Sequence, residues 1–171
     1  PFGVRNEGHM QHIISDRKFM MHCLNNAGRG MCNLLTKMHF DPNHPENQNI
    51  RKKTKKDAII EQHDGKNWVL SNYTKINQSV VNELEFVCLS FFNECANAEE
   101  PVDINNTAKR FMYAVGNVLD WELDVSDYEC ELDKDERSDA NILSERRLLL
   151  QMFVNCMYTN TRNMTKKDCR L

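Results

Sequence analysis

Asp57–Glu100, DAIIEQHDGKNWVLSNYTKINQSVVNELEFVCLSFFNECANAEE, changes its pattern midway. Toward its N-terminal end, a pair of runs of β-type residues flanks Asp64-Gly65. This dipeptide supports a tight hairpin because Gly adopts positive φ without steric cost. The spacing predicts strands near 57–62 and 67–71, with Ile60 and Trp68 anchoring the buried side. From Thr74 the apolar residues fall at helical intervals instead. Ile76, Val80, Leu84, Val87, Phe91 and Cys95 are separated by steps of 4, 4, 3, 4 and 4, and Val81, Cys88 and Phe92 widen the stripe. A stripe that broad belongs to a helix at the centre of a core, which Pro101 bounds.

Working outward, the remaining segments are helical. IISDRKFMMHCLNN (13–26) reads as one short helix capped by Ser15 or Asp16, with Phe19, Met20, Cys23 and Leu24 on its apolar face. AGRG (27–30) reads as a break. MCNLLTKM (31–38) supplies a second short helix facing inward through Met31, Leu34, Leu35 and Met38, and Pro42 and Pro45 stop it. NNTAKRFMYAVGNVLDW (105–121) and ILSERRLLLQMFVNCMYTN (142–160) are two more, the last burying Leu149, Met152, Phe153 and Cys156. The basic tail from Thr161 is expected to fray. The fold class expected is therefore α+β, a mainly helical single domain with one β-hairpin. Residues 1–119 form the helical body, 120–139 an acidic linker or loop, and 140–171 a C-terminal helix packed on the same domain.

Composition sets the outer limits. At 171 residues with 40% hydrophobic content, the chain buries enough surface to fold without disulfides. Seven cysteines, an odd number with no CxxC pair, argue against a secreted disulfide framework. Cys88, Cys95 and Cys156 sit in apolar stripes and read as small buried hydrophobes. No apolar run approaches the ~18 residues of a membrane span, and no charged-then-apolar leader opens the sequence. An intracellular setting (host cytoplasm or nucleus) or a virion is expected, with no membrane partner. The net charge of −3 conceals a sorting of charge along the chain. RKKTKK (51–56) is basic, whereas Asp120–Asp139 carries ten acids against two bases. Segregation of this kind implies separate surfaces with separate partners, a nucleic acid at one and a protein at the other.

KMHFDPNHPENQNI (37–50) concentrates the chemistry. Three readings apply. In the first, His39 and His44, with Asp41, Glu46 and Cys32 nearby, ligate a divalent metal. The spacing matches no standard finger. In the second, Pro45, Glu46, Asn47 and Asn49 form a rigid polar loop whose Asn side chains tie off backbone groups. In the third, the loop presents Arg51, Lys52, Lys53, Lys55 and Lys56 to phosphates, where each neutralised charge releases counterions. Tyr73 and Trp68 lie close enough in sequence to stack on bases. A metal-dependent nuclease, in which a His activates water beside a metal, is the more distant form of the first reading. No Walker loop, nucleotide-binding Gly-rich turn or Ser-nucleophile motif occurs.

PFG (1–3), Cys23-Leu24, HFDPNHPENQNIR (39–51), DGKNW (64–68) and RFMYAVGNVLDWELD (110–124) together resemble a module in poorly characterised proteins of giant DNA viruses and some phages. The matching positions are His39, Phe40, Pro42, Pro45, Glu46, Asn47, Asn49, Gly65 and Trp68. Asp41 stands where Asn is usual there, and RKKTKK replaces a less basic strand. Fusion of that module to zinc fingers implies association with nucleic acid. Two functions follow as expectations. One is a nucleic-acid-associated binding module docking through the basic loop. The other is a structural or assembly protein of a large DNA virus.

Overall fold

A computed structural model describes residues 10–55, 59–105 and 139–168. The described residues form five α-helices and a three-stranded antiparallel sheet, confirming the α+β, mainly helical fold. The helices are α1 (Gln11–Ile14), α2 (Arg17–Leu24), α3 (Ala27–His39), α4 (Tyr73–Asn97) and α5 (Asp139–Asp168). The strands are β1 (Ile50–Arg51), β2 (Ile59–His63) and β3 (Trp68–Asn72), in the order β1-β2-β3. The helix expected over 105–121 and the acidic stretch lie outside the described residues, apart from Asn105 and Asp139.

The first helical segment is two helices. Asp16 interrupts it by accepting the Phe19 N–H at 3.0 Å as the N-cap of α2. A side-chain acceptor there satisfies a donor that the helix start leaves open. AGRG is not a break. The chain turns at Asn25-Asn26, and Ala27–Gly30 form the first turn of α3. Gly30 serves the packing of α2 on α3: a Cβ built there would sit 1.7 Å from the Cys23 carbonyl oxygen. Arg17 ties α2 to the segment after α4, donating to the Pro101 carbonyl at 2.5 Å and pairing with Glu100 at 2.6 Å.

The hairpin forms as expected, over 59–63 and 68–72, with registers Ile60↔Ser71, Glu61↔Leu70 and His63↔Trp68. Gly65 has φ +101°, and the Asp64 carboxylate accepts from the N–H of Lys66 and Asn67 at 2.8 and 2.7 Å. β1 is an addition. It pairs Ile50 with Gln62 and Arg51 with Glu61.

One apolar cluster unites these elements. The stripe read on α4 is buried throughout from Ile76 to Cys95, with Phe92 partly buried. α3 contributes Met31, Leu34, Leu35 and Met38, and the sheet contributes Ile50 and Ile60. Among the described side chains of α5, the buried ones are Leu149, Phe153, Val154, Met157 and Thr161. Met152 and Cys156 are only half-buried. The helix does not fray at Thr161 but runs to Asp168. Thr161 docks β1, its hydroxyl accepting the Lys52 N–H at 2.9 Å and donating to the Met157 carbonyl at 2.8 Å.

Candidate functional site

The loop between α3 and β1 is a built polar structure. Pro45–Asn47 form a single 3-10 turn, Pro fitting its first position because the missing N–H is not needed there. The Asp41 carboxylate accepts the Asn43 N–H at 2.9 Å, and the Gln48 side chain donates to the Asp41 carbonyl at 3.1 Å. Asn47 is buried. Asn49 does not close an Asx turn as expected. Its side-chain oxygen lies 3.0 Å from His39 Nδ1, and since a carbonyl oxygen only accepts, the proton sits on that nitrogen. The other ring nitrogen faces Glu83 of α4 at 3.6 Å. His39 is fully buried in these contacts.

The two histidines expected to share a metal therefore have different surroundings. His44 groups with His12 of α1 and with Asp41, their donor atoms all within 4.8 Å of one another. The His12 and His44 rings are stacked, with centroids 3.7 Å apart and planes inclined at 22°. Glu46 holds His44 Nδ1 at 3.0 Å. Lys37, one turn before Asp41, reaches its Oδ2 at 2.5 Å. Burial pushes the Asp41 carboxyl upward, but the hydrogen bonds from Lys37 and from the Asn43 N–H, with the Lys37 charge, outweigh it and hold the group below its ordinary value. His12 carries a weak signal in the sequence, since both its partners come from the loop after α3, about thirty residues on.

The basic run divides on folding. Lys52 is withdrawn from the surface, 1% exposed, its ammonium 3.1 Å from the Ile59 carbonyl. Arg51 and Lys53 both pair with Glu61 of β2, Lys53 at 2.9 Å. Burial raises the Glu61 carboxyl, yet its hydrogen bonds to Lys53 and Arg51 bring it below the ordinary value. Lys55 is exposed. Lys56 lies outside the described residues. Five equal phosphate contacts are thus not what the folded loop presents, because Lys52 is buried and Arg51 and Lys53 are held by Glu61.

Trp68 corrects a second expectation. It does not anchor the buried side of the hairpin but is 36% exposed. Residues that share a face of a strand alternate, so Trp68 and Leu70 lie on the side opposite Ile60's. In register with them are His63, Glu61 and Arg51. The Arg51 guanidinium lies 4.0 Å above the Trp68 ring, and His63 meets it edge-on at 5.2 Å. Leu70 is 67% exposed and Ile59 is also open. Lys53 and Lys55, in the segment after β1, and Lys66, in the hairpin turn, are exposed.

Cys156, expected in the core, is half-buried and faces Cys32 of α3. Its thiol is lowered to about 7 by the hydrogen bond from Cys32, with further hydrogen bonds from Thr36 and Asn160 outweighing burial. The same contact drives Cys32 upward. Cys23 and Cys88 are pushed up to about 12, chiefly by burial.

No helix among the described residues is long and apolar enough to cross a membrane. Compared with protein families, with curated proteins and with solved structures, the chain matches none.

Proposed function

We propose that the chain is a nucleic-acid-binding module whose contact surface is the outer face of the three-stranded sheet. The observation that carries this reading is Trp68, open to solvent and stacked under Arg51 on the outer face of the sheet. Every base has a π-face, so an exposed aromatic ring or guanidinium plane offers sequence-tolerant stacking to unpaired nucleotides. Lys55 and Lys66, both exposed, supply phosphate attraction beyond the Glu61-paired Arg51 and Lys53. Single strands are the favoured class, because stacking needs bases freed from a duplex. The resemblance of residues 39–51 and 64–68 to modules of giant DNA viruses and phages supports a viral or phage setting, in the host cell or the virion.

The test is fluorescence anisotropy with labelled single-stranded and duplex oligonucleotides at two salt concentrations. The expected outcome is preference for the single strand, with a log–log salt slope of roughly −1.4 for about two phosphate contacts. Trp68→Leu should weaken binding about tenfold, within the ~1–3 kcal/mol that stacking of one base contributes. Absence of binding at low salt, or full affinity in Trp68→Leu, removes this reading.

A second reading rests on β3. It is an edge of the sheet among the described residues, and Val69 and Leu70 are exposed along it. An open apolar edge pairs readily with another strand, as an assembly protein of a large DNA virus would require. Light scattering decides this one: a monomer at all concentrations, with no change in Leu70→Lys, excludes self-assembly through β3.

A further inference from the structure

We propose that His12, Asp41 and His44 form a binding site for a divalent first-row transition metal, of which zinc is the best fit. This site is independent of the nucleic-acid reading and uses none of its residues. Three observations converge on it. The donor atoms of the three side chains already lie within 4.8 Å of one another. Asp41 is buried and its carboxylate is fixed by the Asn43 N–H. His44 is oriented through Nδ1 by Glu46, leaving Nε2 as its ligand atom. A carboxylate on the far nitrogen of a ligating imidazole is the usual outer support of a metal-bound histidine, setting its tautomer and raising its basicity.

The donor set selects the metal. Magnesium and calcium take oxygen ligands, whereas two imidazole nitrogens and one carboxylate oxygen suit zinc and its neighbours. Zinc with bonds of roughly 2.0–2.1 Å in a tetrahedron places its donors about 3.3 Å apart. Movements of about 1 Å by the half-buried imidazoles, with Asp41 as the fixed point, close the site. Three protein ligands leave the fourth position to water. The metal would join α1 to the loop after α3, across the stacked rings. Lys37 is the resident competitor. Its ammonium neutralises Asp41 Oδ2 and its side chain is one-third exposed, so an incoming dication displaces it to solvent.

The competition gives the test a readout that a purely structural cluster would not move. Zinc is titrated into the full chain, under reducing conditions, against a chromophoric chelator. The wild-type protein should take up one equivalent with micromolar or tighter affinity. His12→Gln and His44→Gln should each weaken it at least tenfold while far-ultraviolet circular dichroism stays unchanged. Lys37→Met should tighten it several-fold by releasing Asp41. Seven cysteines are alternative zinc ligands, so the cobalt(II) form is tested for thiolate-to-metal charge transfer, which should be absent. Failure to take up stoichiometric zinc, wild-type affinity in both His variants, unchanged or weaker binding in Lys37→Met, or a charge-transfer band would each overturn the site.

Discussion

Gly30 shows how a single missing side chain sets the approach of two helices. The space a Cβ would need is taken by backbone, with the Cys23 carbonyl oxygen at 1.7 Å, so no rotamer change makes room. Gly30→Ala must push α2 away from α3 and open the contacts of Met20, Cys23 and Leu24, all fully buried. Overpacking of this kind costs about 1–3 kcal/mol where side chains yield, and more is expected against backbone. Urea denaturation of Gly30→Ala should show a loss of at least about 3 kcal/mol. A loss below about 1 kcal/mol would mean that the helices do not touch here. At this scale the sequence is a poor guide. A glycine pair suggests a break as readily as a close approach, and only the partner backbone distinguishes them. His39 and His44 likewise have similar neighbours in sequence, but one lies against α4 and the other against α1. The hydrophobicity of Trp68 points to the core, yet the Arg51 cation that makes its outward position tenable comes from a strand two residues long.

Elements with a long repeat are legible. The 25-residue α4 keeps a consistent apolar spacing along its length, and the Asp64-Gly65 hairpin is set by turn chemistry local to the sequence. β1 is not legible, since two residues carry no period. The end of α5 is hidden for a related reason: beyond Tyr158 the apolar stripe gives way to Thr161, a polar residue that is buried because it meets a backbone donor. That contact is the point at which α5 docks on the sheet. Thr161→Val keeps the volume and removes the acceptor for the Lys52 N–H. Loss of a hydrogen bond inside a buried contact costs about 1–3 kcal/mol. Thr161→Val should therefore lower stability by that amount in urea, whereas Thr161→Ser should retain most of it. A loss in Thr161→Ser with none in Thr161→Val would assign the effect to the methyl group and its packing, not to the hydroxyl.

Among the described residues, Glu61 is where stability and the proposed function oppose each other. Its carboxylate, half-buried in mid-sheet, neutralises Arg51 and Lys53 on the face proposed to bind nucleic acid. Glu61→Gln removes the charge with little change of shape. The sheet then loses a network that contributes about 1–2 kcal/mol. The sign of its pH dependence follows from the folded carboxyl lying below the ordinary 4.5. A depressed value means the contribution is complete above the unfolded-state range and is lost as pH falls through the folded value. The stability difference between wild type and Glu61→Gln should accordingly be level above about pH 5.5 and shrink toward zero in stronger acid. A difference that grows on acidification contradicts the pairing. Binding should move the other way. Two cations freed from Glu61 become available to phosphates, each adding about −0.7 to the single-strand salt slope. Near neutral pH, Glu61→Gln should bind single strands more tightly than wild type, with a slope steeper by about 1.4. Lower affinity in a variant that remains folded would show that Arg51 and Lys53 are needed where Glu61 holds them; unchanged affinity and slope, with no further loss on adding Trp68→Leu, would show that the nucleic acid does not reach this face.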